Sequence, residues 1–333
     1  MKKLLVVYAL LIIAFLLYLK DFQSHEATTN LNETKGLQGQ VDEKYVMVTF
    51  QAGTDYWKKI LKGFEDAGQA LNVSVEYHGA SQYDVKEQIT VLEQVIARKP
   101  SGIALSAIHP DALDVTIFKA IDAGIPIVLF DSDAPKSNAY TFIGTNNVNA
   151  GGTAAHELAH FINRNGKVAV VTIPNQQNQI SRLKGFQETI ENQYPDIEIV
   201  GVKDGKGDQL VSEQVVIDLL TEHPDLKGIF LTEANGGVGA GRAVIKLKKD
   251  KDVKIVSFDT DKQTLDMVKA GTIEATLAQG TWSMGYWSLN YLFYLNHGLI
   301  KLPSDPYAQN KLPKMDTGIT VVTKKNVDSY YAE

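Results

Sequence analysis

Two apolar runs in this chain each end on a carboxylate: Ile125-Pro-Ile-Val-Leu-Phe-Asp131-Ser-Asp133 and, more than a hundred residues later, Val253-Lys-Ile-Val-Ser-Phe-Asp259-Thr-Asp261. A β-branched run that stops at an acid reads as a buried parallel strand delivering that acid to the carboxyl edge of its sheet, where open α/β folds bind ligands. Two such edges imply two similar lobes, and facing edges make a cleft lined by acids. Carboxylates placed there can accept hydrogen bonds from a hydroxylated ligand, or serve as acid and base on a glycosidic bond.

Two further patterns carry possible chemistry. His156-Glu-Leu-Ala-His160 has the form of a helical zinc motif, with Glu157 as base and Glu188 as a conceivable third ligand. The stripe Ala155, Leu158, Ala159 and Ile162 turns both histidines toward the solvent flank of that helix, and no third histidine follows at metzincin spacing, so a zinc peptidase is the weakest reading. Gly236-Gly-Val-Gly-Ala-Gly241 follows a strand and opens a helix, yet its spacing is not G-x-G-x-x-G. It reads as a polar, ligand-facing loop rather than a dinucleotide site.

The elements that must position these groups alternate. Strands are expected at Tyr45–Phe50, Val73–His78, Gly102–Ser106, Pro126–Phe130 and Thr141–Ile143, with helices at Tyr56–Leu71, Val85–Arg98 and Asp111–Ala123. A second series follows, with strands at Lys167–Ile173, Glu198–Lys203, Gly228–Leu231, Val253–Phe258 and Ala275–Ala278 and helices at Ile180–Asn192, Gln209–Glu222, Val238–Lys248 and Thr264–Ala270. Alternation of this kind gives right-handed βαβ units and parallel sheets. An aromatic helix at Met284–Asn296, with Tyr286, Trp287, Tyr291, Phe293 and Tyr294 read as its core face, precedes a proline-punctuated loop from Pro303 to Pro313 and a short strand at Gly318–Val322.

Composition narrows the function. With 333 residues the chain can bury the cores of about two domains. A net charge of -6 with no basic run argues against nucleic acid, whose phosphates demand clustered Lys and Arg. The absence of cysteine removes disulfides, thiolate metal sites and thiol catalysis. At the N-terminus, Lys2 and Lys3 precede an unbroken apolar run from Leu4 to Leu19. The stretch after it, Lys20-Asp-Phe-Gln-Ser-His-Glu26, lacks the small residues of a cleavage site, so residues 1–20 are expected to be an uncleaved membrane anchor rather than a signal segment, with the rest of the chain outside the cell membrane. Residues 21–43 are polar and read as a tether.

In this setting several motifs fall in a recognisable order: Gly102-Ile-Ala-Leu-Ser106 with Pro110-Asp-Ala-Leu113, Ala123-Gly-Ile-Pro-Ile-Val-Leu-Phe-Asp131, Ile143-Gly-Thr-Asn-Asn147, Arg182-Leu-Lys-Gly-Phe186, Val256-Ser-Phe-Asp259 and Ala275-Thr-Leu-Ala-Gln279. From Lys44 onward the chain resembles the type I periplasmic sugar-binding proteins of the ribose and galactose group, which are related to lac-repressor effector domains. The resemblance implies an α/β fold of two doubly wound parallel-sheet lobes joined by a three-strand hinge. It implies crossings near Gly144–Asn147, Ala278–Gly280 and Lys311–Met315, one lobe from residues 44–146 with 280–311, and another from 147–279 with 312–333.

The same resemblance implies a non-catalytic site for a monosaccharide, without metal or cofactor. Tyr56 and Trp57 match the loop whose paired aromatics sandwich the sugar, Trp57 being favoured for its larger face. Asp131 and Asp259 match carboxylates that bind hydroxyls, and Arg182 matches an arginine that both bonds the sugar and offsets the acids. Gln279, Asp133 and Asn235 join the set, and Asn147 is divided between ligand contact and helix capping. Two departures, Ser132 where the ribose binder has arginine and Glu233-Ala234-Asn235 where it has Asn then Asp, prevent ribose specificity from being carried over. The implied partner is an ABC permease or, alternatively, a sensor histidine kinase.

Overall fold

The computed structural model describes residues 15, 37–300 and 312–331. The apolar run at 4–19 apart from residue 15, the tether as far as residue 36, and the loop at 301–311 lie outside the described residues. No helix among the described residues is long and apolar enough to cross a membrane.

Twelve strands form two six-stranded sheets among the described residues. In the first lobe, β1 (Lys44–Thr49), β2 (Ser74–Gly79), β3 (Gly102–Leu105), β4 (Ile127–Phe130), β5 (Phe142–Gly144) and β11 (Met315–Asp316) lie in the order β11-β5-β4-β3-β1-β2, all parallel. In the second, β6 (Gly166–Thr172), β7 (Ile197–Asp204), β8 (Leu226–Leu231), β9 (Lys254–Phe258), β10 (Ala275–Gln279) and β12 (Ile319–Thr323) lie in the order β12-β10-β9-β8-β6-β7, with β12 alone antiparallel. The two orders are equivalent, so the acids that end β4 and β9 occupy matching places in the two lobes.

The helices follow the local sequence. In α1 (Tyr56–Leu71) the apolar stripe Trp57, Ile60, Phe64, Ala67 and Leu71 is buried at helical spacing, and Asn72 ends the helix in the left-handed region at φ 56°. α2 (Val85–Ala97) opens on Asp84, whose side chain accepts the Glu87 N–H, and α3 (Asp114–Asp122) follows β3. The second lobe has α4 (Asn147–Phe161), α5 (Gln177–Gln193), α6 (Gln209–Glu222), α7 (Ala234–Lys246) and α8 (Lys262–Ala270). Asp208 and Asp261 cap α6 and α8.

α9 (Thr281–Asn296) returns to the first lobe after β10 and packs on α1. Only part of its aromatic content is core. Phe293 is buried, whereas Trp287 and Trp282 stay exposed, Trp282 stacking on Tyr286 and donating its indole N–H to Asp66. The reading of Trp287 as core is thereby corrected, because Met284, Ser288, Leu289 and Leu292 take the inward positions.

Three segments cross between the lobes. Two lie where the sequence indicates, after β5 and after β10. The third falls at Thr317–Gly318 rather than Lys311–Met315, since β11 still pairs with β5 in the first sheet. The segments are tied together: Thr317 N–H donates to Gly144 O at 2.9 Å, Gly280 N–H to Gly318 O at 3.3 Å, and Asp316 accepts the Asn146 N–H at 3.0 Å. The end of the predicted tether is also part of the first lobe. Gly39 N–H bonds Leu71 O at 2.8 Å, and Glu43 accepts from His297 at 2.7 Å and from Tyr45.

The glycines of 236–241 are not a loop. They lie inside α7, where a methyl at Gly237 would strike Ser257, at Gly239 the Gln209 carbonyl, and at Gly241 Met267. Small residues there let the helix sit close to its neighbours.

Related helix pairs use the same device. A methyl at Gly285 would collide with the Ile60 carbonyl and one at Gly151 with the Arg182 carbonyl, so α1 and α9, and α4 and α5, meet backbone to backbone. Gly151→Ala is therefore expected to lower stability by about 1–3 kcal/mol through overpacking, measured by denaturant unfolding, with Gly53→Ala as a control on a turn where a methyl meets nothing within 4 Å and the backbone is not left-handed.

Candidate functional site

Asp131 and Asp259 each follow the last residue of a central strand, and each has a positive φ, 58° and 68°. Non-glycine residues pay for this conformation, roughly 1 kcal/mol or more, and it is concentrated at functional sites. The cause is visible in the next strand: Asp131 N–H donates to Ile143 O at 3.2 Å and Asp259 N–H to Leu277 O at 2.9 Å, which turns the chain sharply at the sheet edge. The same turn occurs twice, once per lobe.

The network is centred on Arg182, which α5 carries inward and which is 1% exposed. Its Nε donates to Asn147 Oδ1, Nη1 to Thr232 O and Nη2 to Gln279 Oε1, each at 2.8 Å, while its guanidinium lies 3.9 Å over the Phe258 ring. Gln279, in the second crossing, also accepts from Thr145 Oγ1 at 2.7 Å and gives its amide hydrogens to Asp259 Oδ1 at 2.6 Å and Tyr56 Oη at 3.3 Å. Tyr56 in turn donates to Asp131 Oδ1 at 2.6 Å, and Ser106 Oγ donates to Asp131 Oδ2 at 3.0 Å. One connected set of bonds thus runs from the acid of the first lobe to the acid and arginine of the second.

The structure brings together six of the expected residues: Tyr56, Asp131, Asn147, Arg182, Asp259 and Gln279. Asn147 is not the cap of α4; Asn146 accepts the Asn149 N–H and frees Asn147 for Arg182. Trp57 is corrected. Its indole is 3% exposed, donates to Phe50 O at 2.9 Å and meets Phe50 and Phe130 edge-on, because helical phase puts residue 57 on the buried stripe and residue 56 at the cleft. Asp133 stands apart, paired with Lys314 at 2.6 Å in a crevice beside the hinge. Asn235 also lies off the network, its amide donating to Gly207 O at 2.9 Å.

Glu233 was not among the expected contacts. It follows β8 by the same rule that singled out the two aspartates, with Thr232 intervening, and it is buried. Its oxygens accept Gly236 and Asn235 N–H at 2.6 and 2.7 Å, and it feels both Arg182 and Asp259. Three buried carboxyls therefore share one arginine.

Burial is the main cause that raises all three above the ordinary carboxylate range. Glu233 is pushed up to about 7 and Asp259 to about 6, each opposed by Arg182 and each raised by a neighbouring acid. Asp131 is raised too, against the pull of Tyr56 and Arg182.

The zinc motif acquires a different role. His156 Nδ1 is bonded to Tyr194 Oη at 2.8 Å on the surface of α4, and no group of three metal-ligating side chains gathers among the described residues.

Comparison with known proteins agrees with this geometry. Residues 45–298 match the model of a periplasmic binding protein domain. The chain belongs to the type I periplasmic sugar-binding proteins. Among solved structures it is 59% identical to the sugar-binding protein of a sugar ABC transporter from Bacillus halodurans, covering 87% of this chain and 100% of that one at TM-score 0.82. It is 62% identical to AraP, an arabinose binding protein from Geobacillus stearothermophilus, over 87% and 99% of the two chains at TM-score 0.77. A chain of the XylFII–LytSN complex is 28% identical, over 85% and 98%, at TM-score 0.76.

The raised carboxyls predict a pH signature. Asp259 keeps its proton up to about pH 6 when folded but loses it near 4 when unfolded, so it costs stability as pH rises through that window and the cost is constant above it. In the sugar-free protein, Asp259→Asn should relieve up to about 3 kcal/mol at pH 7.5 and almost nothing at pH 3.5. Thermal unfolding of the two forms across pH measures the difference.

Proposed function

We propose that this protein is an extracytoplasmic receptor that closes its two lobes on a pentose, arabinose being the first candidate. The observation that carries the reading is the bond network from Asp131 and Tyr56 through Gln279 to Asp259 and Arg182. It converges charged acceptors and a planar donor from both lobes, as a ring of sugar hydroxyls requires. Hydrogen bonds to charged groups yield about 1.5–3 kcal/mol each, so both acids weigh heavily on selectivity. The 62% identity to an arabinose binding protein supports the choice of sugar.

Closure belongs to the same reading: the site is complete only when Asp131 of one lobe and Asp259 of the other face the same ligand, so the ligand favours the closed form by its differential affinity. We assign the closed form to delivery at an ABC importer, in keeping with the 59% identical sugar-binding protein of such a transporter. In this reading residues 1–20 tether the protein to the membrane. A second reading, a sensing subunit for a histidine kinase, draws on the apolar segment at residues 4–19 and on the likeness to a chain of the XylFII–LytSN complex. Adjacent genes separate the two: an ATPase and permease, or a kinase and response regulator.

Calorimetry with L-arabinose, D-xylose, D-ribose and D-galactose tests the proposal. Arabinose should give the strongest heat, and Asp131→Ala or Asp259→Ala should weaken it about a hundredfold or more while each variant still unfolds cooperatively. No heat with any sugar in the set would defeat it.

A further inference from the structure

One buried polar group in the second lobe has no structural task. Gln179 is 3% exposed, and its side-chain oxygen is fully enclosed without a hydrogen-bond partner among the described residues. Burying an amide oxygen unpaired is costly, and nearly all such groups in folded proteins find a donor.

Its position indicates where the donor comes from. Gln176, Gln179 and Arg182 follow one another at three-residue spacing along the start of α5, with Gln179 at an angle between the other two. Both flanking side chains reach groups outside the second lobe's core. Gln176 bonds Tyr83 of the first lobe, whose hydroxyl also donates to Ile108 O at 3.3 Å. Arg182 bonds Gln279 at the crossing. Gln179 is thus held between a contact that spans the two lobes and the centre of the acid network, on the face of α5 that looks across the cleft.

We infer that Gln179 is a further specificity-determining residue, whose side-chain carbonyl accepts a hydrogen bond from one hydroxyl of the bound pentose. The inference rests on the sugar-binding reading above and deepens it. The carboxylates accept from hydroxyls without regard to much beyond position and charge, and Arg182 only donates. A neutral acceptor fixed on a rigid helix adds a contact that a sugar lacking the matching hydroxyl leaves unpaired, which is how binding sites discriminate sharply.

The test pairs one variant with altered ligands. Gln179→Met keeps length and volume and removes the acceptor. Calorimetry of wild type and variant with L-arabinose and each of its monodeoxy analogues should show arabinose bound about tenfold or more weakly by the variant. For one analogue, the one missing the hydroxyl that Gln179 reads, the two proteins should bind equally. A merely structural role would weaken every sugar by the same factor, and that result overturns the inference, as does unchanged affinity for all of them. Wild type giving no heat with arabinose or any other sugar overturns both this inference and the reading it rests on, whereas wild-type binding with an indifferent variant overturns this inference alone. Unfolding of the sugar-free variant, expected to be no easier than wild type because an unpaired polar atom is removed, checks that the fold persists.

Discussion

The guanidinium of Arg182 is the constraint on which the rest of the site depends. A fully buried cation is tolerated only when its hydrogens are matched, and here three go to Asn147, the Thr232 carbonyl and Gln279, while the plane rests on Phe258. Those partners come from the start of α4, the end of β8, the second crossing and the end of β9. Holding one side chain in place therefore fixes four segments at once. It also provides the positive charge against which Asp131, Glu233 and Asp259 are buried.

The balance is deliberately incomplete. One cation faces three carboxyls, and burial raises all three above the ordinary carboxylate range. Such a cleft is short of hydrogen-bond donors. A polyhydroxylated ligand would supply donors to the acids of both lobes without bringing charge that needs a separate counterion. In the proposed reading, binding and closing are the same event.

Much of this was legible in the sequence because it depends on local rules. The helix at Tyr56–Leu71 and that at Gln209–Glu222 are read to the residue, and the two strand-end aspartates stand where the alternation of apolar runs puts them. What was not legible depends on helical phase and on partners distant in the chain. Tyr56 and Trp57 are adjacent aromatics, and only the packing of α1 on its sheet assigns one to the cleft and the other to the core. The glycines of α7 look like a loop until the Ser257 side chain and the Gln209 backbone that crowd them are in place. Glu233 was accessible to the same strand-end argument as the aspartates but is displaced by one residue from the end of its apolar run. The third crossing was misplaced because β11 is only two residues long and carries no periodic signal.

That one sugar completes a site shared by two lobes around Arg182 can be tested by small-angle X-ray scattering with and without L-arabinose. The radius of gyration of wild type should fall on adding arabinose, and Arg182→Met should show no change at the same sugar concentration. An unchanged radius in a wild-type protein demonstrably saturated with sugar would contradict it.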